Sequence, residues 1–345
     1  MIRRNIFAII IMILIGFGMI ISLPIVILSI SVLSYHSIEY NNFFYYYNKS
    51  MISPKIKSLN INLDVGEIEV NYIYSPVNYA IKLELNIELI SQKNFGSSYL
   101  DYFELPTWHY ENNAIKFIMS LKPDVMDIWF NASLWKSQEV NLTATINANF
   151  LYSVNTTINY IGNVDILVPA ATSIHNVDVK INQGNIYYDF FYCTIEGNIT
   201  GATVSGDITL KGNNVKYTKN NKMSLTNDDG LIIFNIFQER AMNANLTAVG
   251  KTKTGEIKIQ YRDLSENIGA KFTFYNYSGS WPDEYNSWVG FEDPESLYDP
   301  PPVRQVFTSF DFQTVINTYN FSLYRDFLNK PSFPYTVDLS SIPKT

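Results

Sequence analysis

The sequence predicts an all-β fold: a solenoid-like or layered stack of repeats about 22–25 residues long, preceded by one N-terminal transmembrane helix. Three observations carry this expectation. A five-residue motif (Gly, then Asp/Glu/Asn, then Ile/Val, any residue, and an apolar residue) recurs along the chain. Apolar and polar residues alternate around each copy, as in a strand with one face buried. An uncharged apolar run occupies the N-terminus.

That run, "IFAIIIMILIGFGMIISLPIVILSISVL", extends from Ile6 to Leu33 and follows Arg3 and Arg4. As a helix it would rise about 42 Å, more than the roughly 30 Å hydrocarbon core, so tilt or a kink at Pro24 would absorb the excess. A cleaved signal peptide has a shorter apolar region and a small-residue cleavage site, so a retained signal-anchor over residues 1–36 is expected. The two arginines place the N-terminus in the cytoplasm and residues 37–345 outside. Residues 37–57 include "SYHSIEYNNFFYYYNKS", whose aromatic density suits a juxtamembrane linker in the headgroup region. A hydrophobic strand is the alternative.

Residues 58–160 hold alternating segments such as "IKLELNIELI", "NNAIKFIMSL" and "EVNLTATINANF", and are expected to form a β-sandwich-like region. Residues 161–275 carry the repeat. Full copies begin at Gly66, Gly162, Gly184, Gly206 and Gly255, with a relative at Gly230, and from Gly162 onward the spacings are 22, 22, 24 and 25. Each period holds about two short strands and two turns, and one period cannot bury its own apolar face. Stacking would do so; an antiparallel meander of hairpins uses the same alternation. In "SGDITL", Ile208 is expected inward and Asp207 outward, with Asp207 replaceable at little cost. Residues 276–345 form an acidic, aromatic loop followed by terminal strands.

Composition bounds the function. Charged residues are 17% of the 345, below the roughly 25% of ordinary soluble proteins. The net charge is −7 with no basic stripe, which excludes a nucleic-acid partner. The single Cys193 forbids an intrachain disulfide and sits in a strand as a buried structural thiol. His36, His109 and His175 have no metal-ligand spacing, and neither G-x-S-x-G, a P-loop nor a D-x-D-x-D-G loop occurs. No catalytic residue, metal or cofactor is expected. Asn-x-Ser/Thr sequons lie at Asn48, Asn131, Asn141, Asn155, Asn198, Asn245, Asn276 and Asn320, all beyond the anchor, and are candidates for N-glycosylation. In the tail, Trp281, Tyr285, Trp288, Phe291 and Tyr298 are interleaved with carboxylates and are candidates for contact with a glycan or a partner protein. The bland alternative is a plug for the end of the stack.

The stretches "VDILVPAATSIHNVDVKINQGNIYY", "ATVSGDITL", "TGEIKIQY" and "LNINLDVGEIEVNYIYSP" resemble the bacterial and archaeal adhesin-like stacked-β domains of unknown function, over about residues 58–90 and 160–262. The resemblance implies a noncatalytic β-rich module at the cell surface and brings no catalytic residues with it. Low charge, abundant Asn, Ile and Tyr, and absent disulfides also resemble archaeal surface proteins from hot acid. The expected function is therefore a membrane-anchored extracellular module for adhesion, envelope organisation or partner binding. A structural subunit of a surface layer or filament, and a carbohydrate-active enzyme needing only two placed carboxylates, are the alternatives.

Overall fold

The computed structural model describes residues 36–47, 56–74, 79–91, 96–150, 152–238, 244–263, 268–275, 287–290, 317–325 and 335–338, with side chains through Ile259 except Glu256. The apolar run 6–33 lies outside the described residues; among those described, no helix is long and apolar enough to cross a membrane.

The protein is predominantly β. Its first strands are β1 (His36–Tyr46), β2 (Ser58–Ile73), β3 (Ile81–Ser91), β4 (Thr107–Glu111), β5 (Ala114–Met119), β6 (Trp135–Asn147) and β7 (Ser153–Val168). Short strands then follow in quick succession: β8 (Ser173–Ile174), β9 (Val177–Gln183), β10 (Ile186–Phe191), β11 (Thr194–Ile195), β12 (Ile199–Ser205), β13 (Ile208–Asn213) and β14 (Lys216–Tyr217). The repeats finish with β15 (Asn221–Asp229), β16 (Leu231–Gln238), β17 (Leu246–Thr252) and β18 (Glu256–Asp263). The tail contributes β19 (Ile268–Tyr275), β20 (Ser287–Gly290), β21 (Asn317–Arg325) and β22 (Tyr335–Asp338). Residues 36–46 are thus a strand, the alternative to an aromatic linker.

Successive repeats pair in parallel, not as hairpins. One ladder runs β2–β7–β9–β12–β15–β17–β21 and a second runs β2–β7–β10–β13–β16–β18–β20. A third, small ladder joins β8, β11 and β14, also in parallel. β2 and β7 lie side by side along most of their length, so the region expected to be sandwich-like supplies two strands to the same ladders as the repeats. Gly66, far ahead of the other copies in the chain, is the direct partner of Gly162.

In-register pairing turns the sequence alternation into columns. Ile68, Val164, Ile186, Ile208, Ile232 and Ile257 stack inward, as do Val70, Ile166, Tyr188, Leu210, Phe234 and Ile259. Each of these twelve side chains is at most 1% exposed. At about 1.5–3 kcal/mol for burying one such side chain, these columns dominate the stability of the repeats. Gly201 belongs to the same logic: a Cβ there would press on the Tyr188 hydroxyl, which donates to the Thr200 carbonyl at 2.7 Å.

The glycines mark a corner between the two large ladders. Gly66, Gly184, Gly206 and Gly230 have φ of 115°, 136°, 137° and 121°, open to glycine at no steric cost. A Cβ on Gly162, Gly184, Gly206, Gly230 or Gly255 would overlap the carbonyl of the glycine one repeat before it. The residue after each glycine closes the same corner. Asn163 Oδ1 accepts from Asn185 N at 2.9 Å, Asn185 Oδ1 from Asp207 N at 2.9 Å, and Asp207 Oδ1 from Leu231 N at 2.8 Å. Asp207 points outward, and its carboxylate accepts from the backbone of the next repeat. From inside, Thr203 Oγ1 donates to Gly184 O at 3.1 Å and Asn227 Nδ2 to Gly206 O at 3.2 Å, so these two buried polar side chains also tie into the glycine corner.

Among the described residues, 36–40, 87–91, 96–102 and 122–139 form one compact unit and the rest a second. The smaller unit is organised by Tyr102, Trp129 and Trp135, with ring centroids 5.3–6.4 Å apart. The Trp135 indole donates to Ile128 O at 3.0 Å, and Ser98 and Asp101 form a capping box on the turn Tyr99–Asp101.

Candidate recognition surface

The run "NNFFYYY" is laid out by β1, whose period of two sends alternate rings to opposite faces. Phe44 turns to Trp108 and Phe117, with centroids at 6.2 and 5.3 Å, and Tyr46 lies 5.9 Å from Tyr110. The other face carries Phe43, Tyr45 and Tyr47, which are 44%, 41% and 53% exposed. Their rings form a row: Phe43 to Tyr45 is 6.4 Å at 24°, and Tyr45 to Tyr47 is 6.0 Å at 28°. Tyr79 lies 5.8 Å from Tyr45. Lys82 Nζ sits 4.7 Å from the centre of the Phe43 ring while pairing with Glu84 at 3.0 Å.

This row has the chemistry of a stacking platform. Flat faces with phenolic edges accept the apolar faces of sugar rings or aromatic side chains, and the hydroxyls hydrogen-bond at the rim.

The outward column of the first ladder is polar but nearly neutral. Lys116, Asn60, Asn155, Asp178, Thr200 and Ser224 follow one another across the strands. Asn155 Nδ2 donates to Asn60 Oδ1 at 2.8 Å, Thr200 donates to Asp178, and Lys180 pairs with Asp178 at 2.9 Å. On the outward face of the second ladder, Glu69 and Asp165 are direct partners. Partial burial, then the Glu69 and Glu67 carboxylates, push the Asp165 carboxyl above its ordinary value.

The sequence candidates fall in several places. The glycines Gly66, Gly162, Gly184, Gly206, Gly230 and Gly255 are brought together in one stacked corner. Asn131, Asn141, Asn155, Asn198, Asn245 and Asn320 are scattered over separate elements. Asn48 and Asn276 lie outside the described residues, as do Trp281, Tyr285, Phe291 and Tyr298. The backbone of Trp288 belongs to β20, opposite Lys258 of β18. The three histidines do not converge: His109 lies 3.7 Å from Glu111, whereas His175 Nδ1 faces Ser153 Oγ at 3.2 Å and Asn176 Nδ2 at 2.7 Å. Among the described residues no group of His, Cys, Asp and Glu is arranged to hold a metal ion. Cys193 is 1% exposed, and burial pushes its thiol up to about 12, which makes it inert as a nucleophile at neutral pH. The aromatic density of β1 was visible in the sequence; that three of its rings form one open row was not.

The chain matches no protein-family model and no curated protein. Among solved structures it is similar to a protein from Clostridium sporogenes described as a "putative cell adhesion protein", at 10% sequence identity and a TM-score of 0.32, over 83% of this chain and 95% of that one.

Proposed function

We propose that this chain is a noncatalytic module held at the outer surface of a cell membrane by the apolar segment 6–33, serving adhesion or envelope organisation by binding neutral glycans or surface proteins. The repeats wind as a β-solenoid, one turn per 22–25 residues, and act as a stiff spacer and platform. The observation that carries the reading is the open row of Phe43 and Tyr45 on β1 and Tyr47 immediately after it. Exposed aromatic rows are uncommon on surfaces that meet only water, and the nearly neutral polar column of the first ladder suits hydroxyl-rich partners more than charged ones.

The test is retention of the full chain on polysaccharide extracted from its own cell envelope, alongside thermal melting. The double substitution Tyr45→Ala, Tyr47→Ala is expected to lower retention at least tenfold while leaving the melting temperature within a degree or two, because both rings are largely exposed. Unchanged retention would overturn the platform. A crosslinked ladder of identical subunits on intact cells would favour the structural-layer alternative.

A further inference from the structure

Six of the eight sequon asparagines lie among the described residues, and their surroundings differ sharply. Asn141 is in β6, paired with Glu67 of β2. Asn155 is in β7 between β2 and β9, and its Nδ2, the atom that a glycan would occupy, already donates to Asn60 at 2.8 Å. Asn198 Oδ1 accepts from Lys222 N at 3.0 Å, and the hydroxyl of its sequon threonine, Thr200, donates to Asp178. Asn245 N donates to Asn220 Oδ1 at 3.2 Å, and its sequon continues into β17. Asn320 is in β21 between β17 and β19.

Asn131 differs from these in that its whole sequon lies outside the strand ladders. Asn131, Ala132 and Ser133 are all exposed and lie on the short turn Ala132–Leu134, outside any ladder. Their hydrogen bonds are local: Asn131 N to Ile128 O at 3.3 Å, Leu134 N to Asn131 O at 3.0 Å, and Asn131 Oδ1 accepting from Ser133 N at 3.2 Å and Ser133 Oγ at 2.7 Å. The asparagine and its sequon hydroxyl are thus already folded onto each other, with Oδ1 engaged and Nδ2 bonded to no acceptor among the described residues.

We infer that Asn131 is the described sequon that accepts an N-linked glycan on the folded chain. A transferase must draw several residues of backbone into its cleft; a strand sequon resists this with its ladder bonds, whereas a local turn opens at low free energy. Asn131 Nδ2 bonds to the anomeric carbon of a lipid-phosphate-linked oligosaccharide. The bond from that carbon to the phosphate oxygen breaks, the lipid phosphate leaves with the electron pair, and one Nδ2 proton passes to a base of the transferase. The inference rests on the reading that residues 37–345 lie outside the membrane.

The experiment incubates the purified, folded full chain with an oligosaccharyltransferase and its lipid-linked donor, and maps each sequon by peptide mass. Occupancy at Asn131 is expected to exceed that at Asn141, Asn155, Asn198, Asn245 and Asn320 at least tenfold. It should vanish in both Asn131→Gln and Ser133→Ala, two exposed changes whose lost hydrogen bonds are confined to the turn and leave the rest of the fold intact. No glycan at Asn131, or equal occupancy at any of the five strand sequons, overturns the inference. A chain that accepts the glycan at Asn131 in this reaction but is bare in its own cells upholds the acceptor site and overturns the outside location instead.

Discussion

At Gly206 the missing side chain matters more than any side chain around it. Its φ of 137° is one that residues with a Cβ rarely adopt, and a Cβ there would overlap the Gly184 carbonyl. Neither conflict relieves the other, because turning the backbone to a comfortable φ would swing Asp207 N away from Asn185 Oδ1. Gly206→Ala is therefore expected to cost about 1–3 kcal/mol in backbone strain alone, with the clash adding to it. Asp207→Ala, which leaves the backbone intact and removes the acceptor of Leu231 N, should cost about 1 kcal/mol. Urea melts of the two variants check the order, and a Gly206→Ala protein as stable as wild type would mean that the corner is not packed as described.

Between strands, the same in-register pairing that makes apolar columns also sets like charges side by side. Glu69 on β2 and Asp165 on β7 are direct partners, and carboxylates in that relation repel. The raised Asp165 carboxyl reflects this together with its partial burial. An acid whose folded value lies above its unfolded one weakens the fold when ionised. The penalty is present at neutral pH, shrinks as pH falls through the raised folded value, and is gone below the ordinary 3.8. Asp165→Asn is accordingly expected to stabilise the chain at pH 7 by about 0.2–1 kcal/mol, with the advantage disappearing near pH 3. Paired melts of wild type and variant at the two pH values test this; a gain that persists in acid would assign it to something other than charge. Reading the sequence alone, neither residue signals a conflict, because Glu69 and Asp165 belong to repeats separated by the whole of β3 to β6.

For the whole molecule, the proposed anchor fixes which side of a membrane the β stack would occupy. The apolar run after Arg3 and Arg4 leads to the expectation that protease added to intact cells removes residues 37–345 and leaves the anchor behind. Full protection of the β region would overturn that orientation. The sequence by itself determined the β class and the repeat. Both follow from local rules: period-two alternation specifies a strand with one wet face, and a recurring glycine marks a recurring corner. It also determined that no intrachain disulfide supports the fold, since Cys193 has no second cysteine to join. Tertiary structure alone decided three further matters. Parallel pairing was chosen over hairpins, because alternation names the residues that share a face but not the strand that lies beside them. Gly66 was set against Gly162 across a long excursion of the chain, because the register between distant segments is settled by which apolar columns pack. And of the crowded aromatic residues from Phe43 to Tyr47, Phe43, Tyr45 and Tyr47 were left open while Phe44 met Trp108 and Phe117, because only packing from elsewhere in the chain determines which of two aromatic faces is covered.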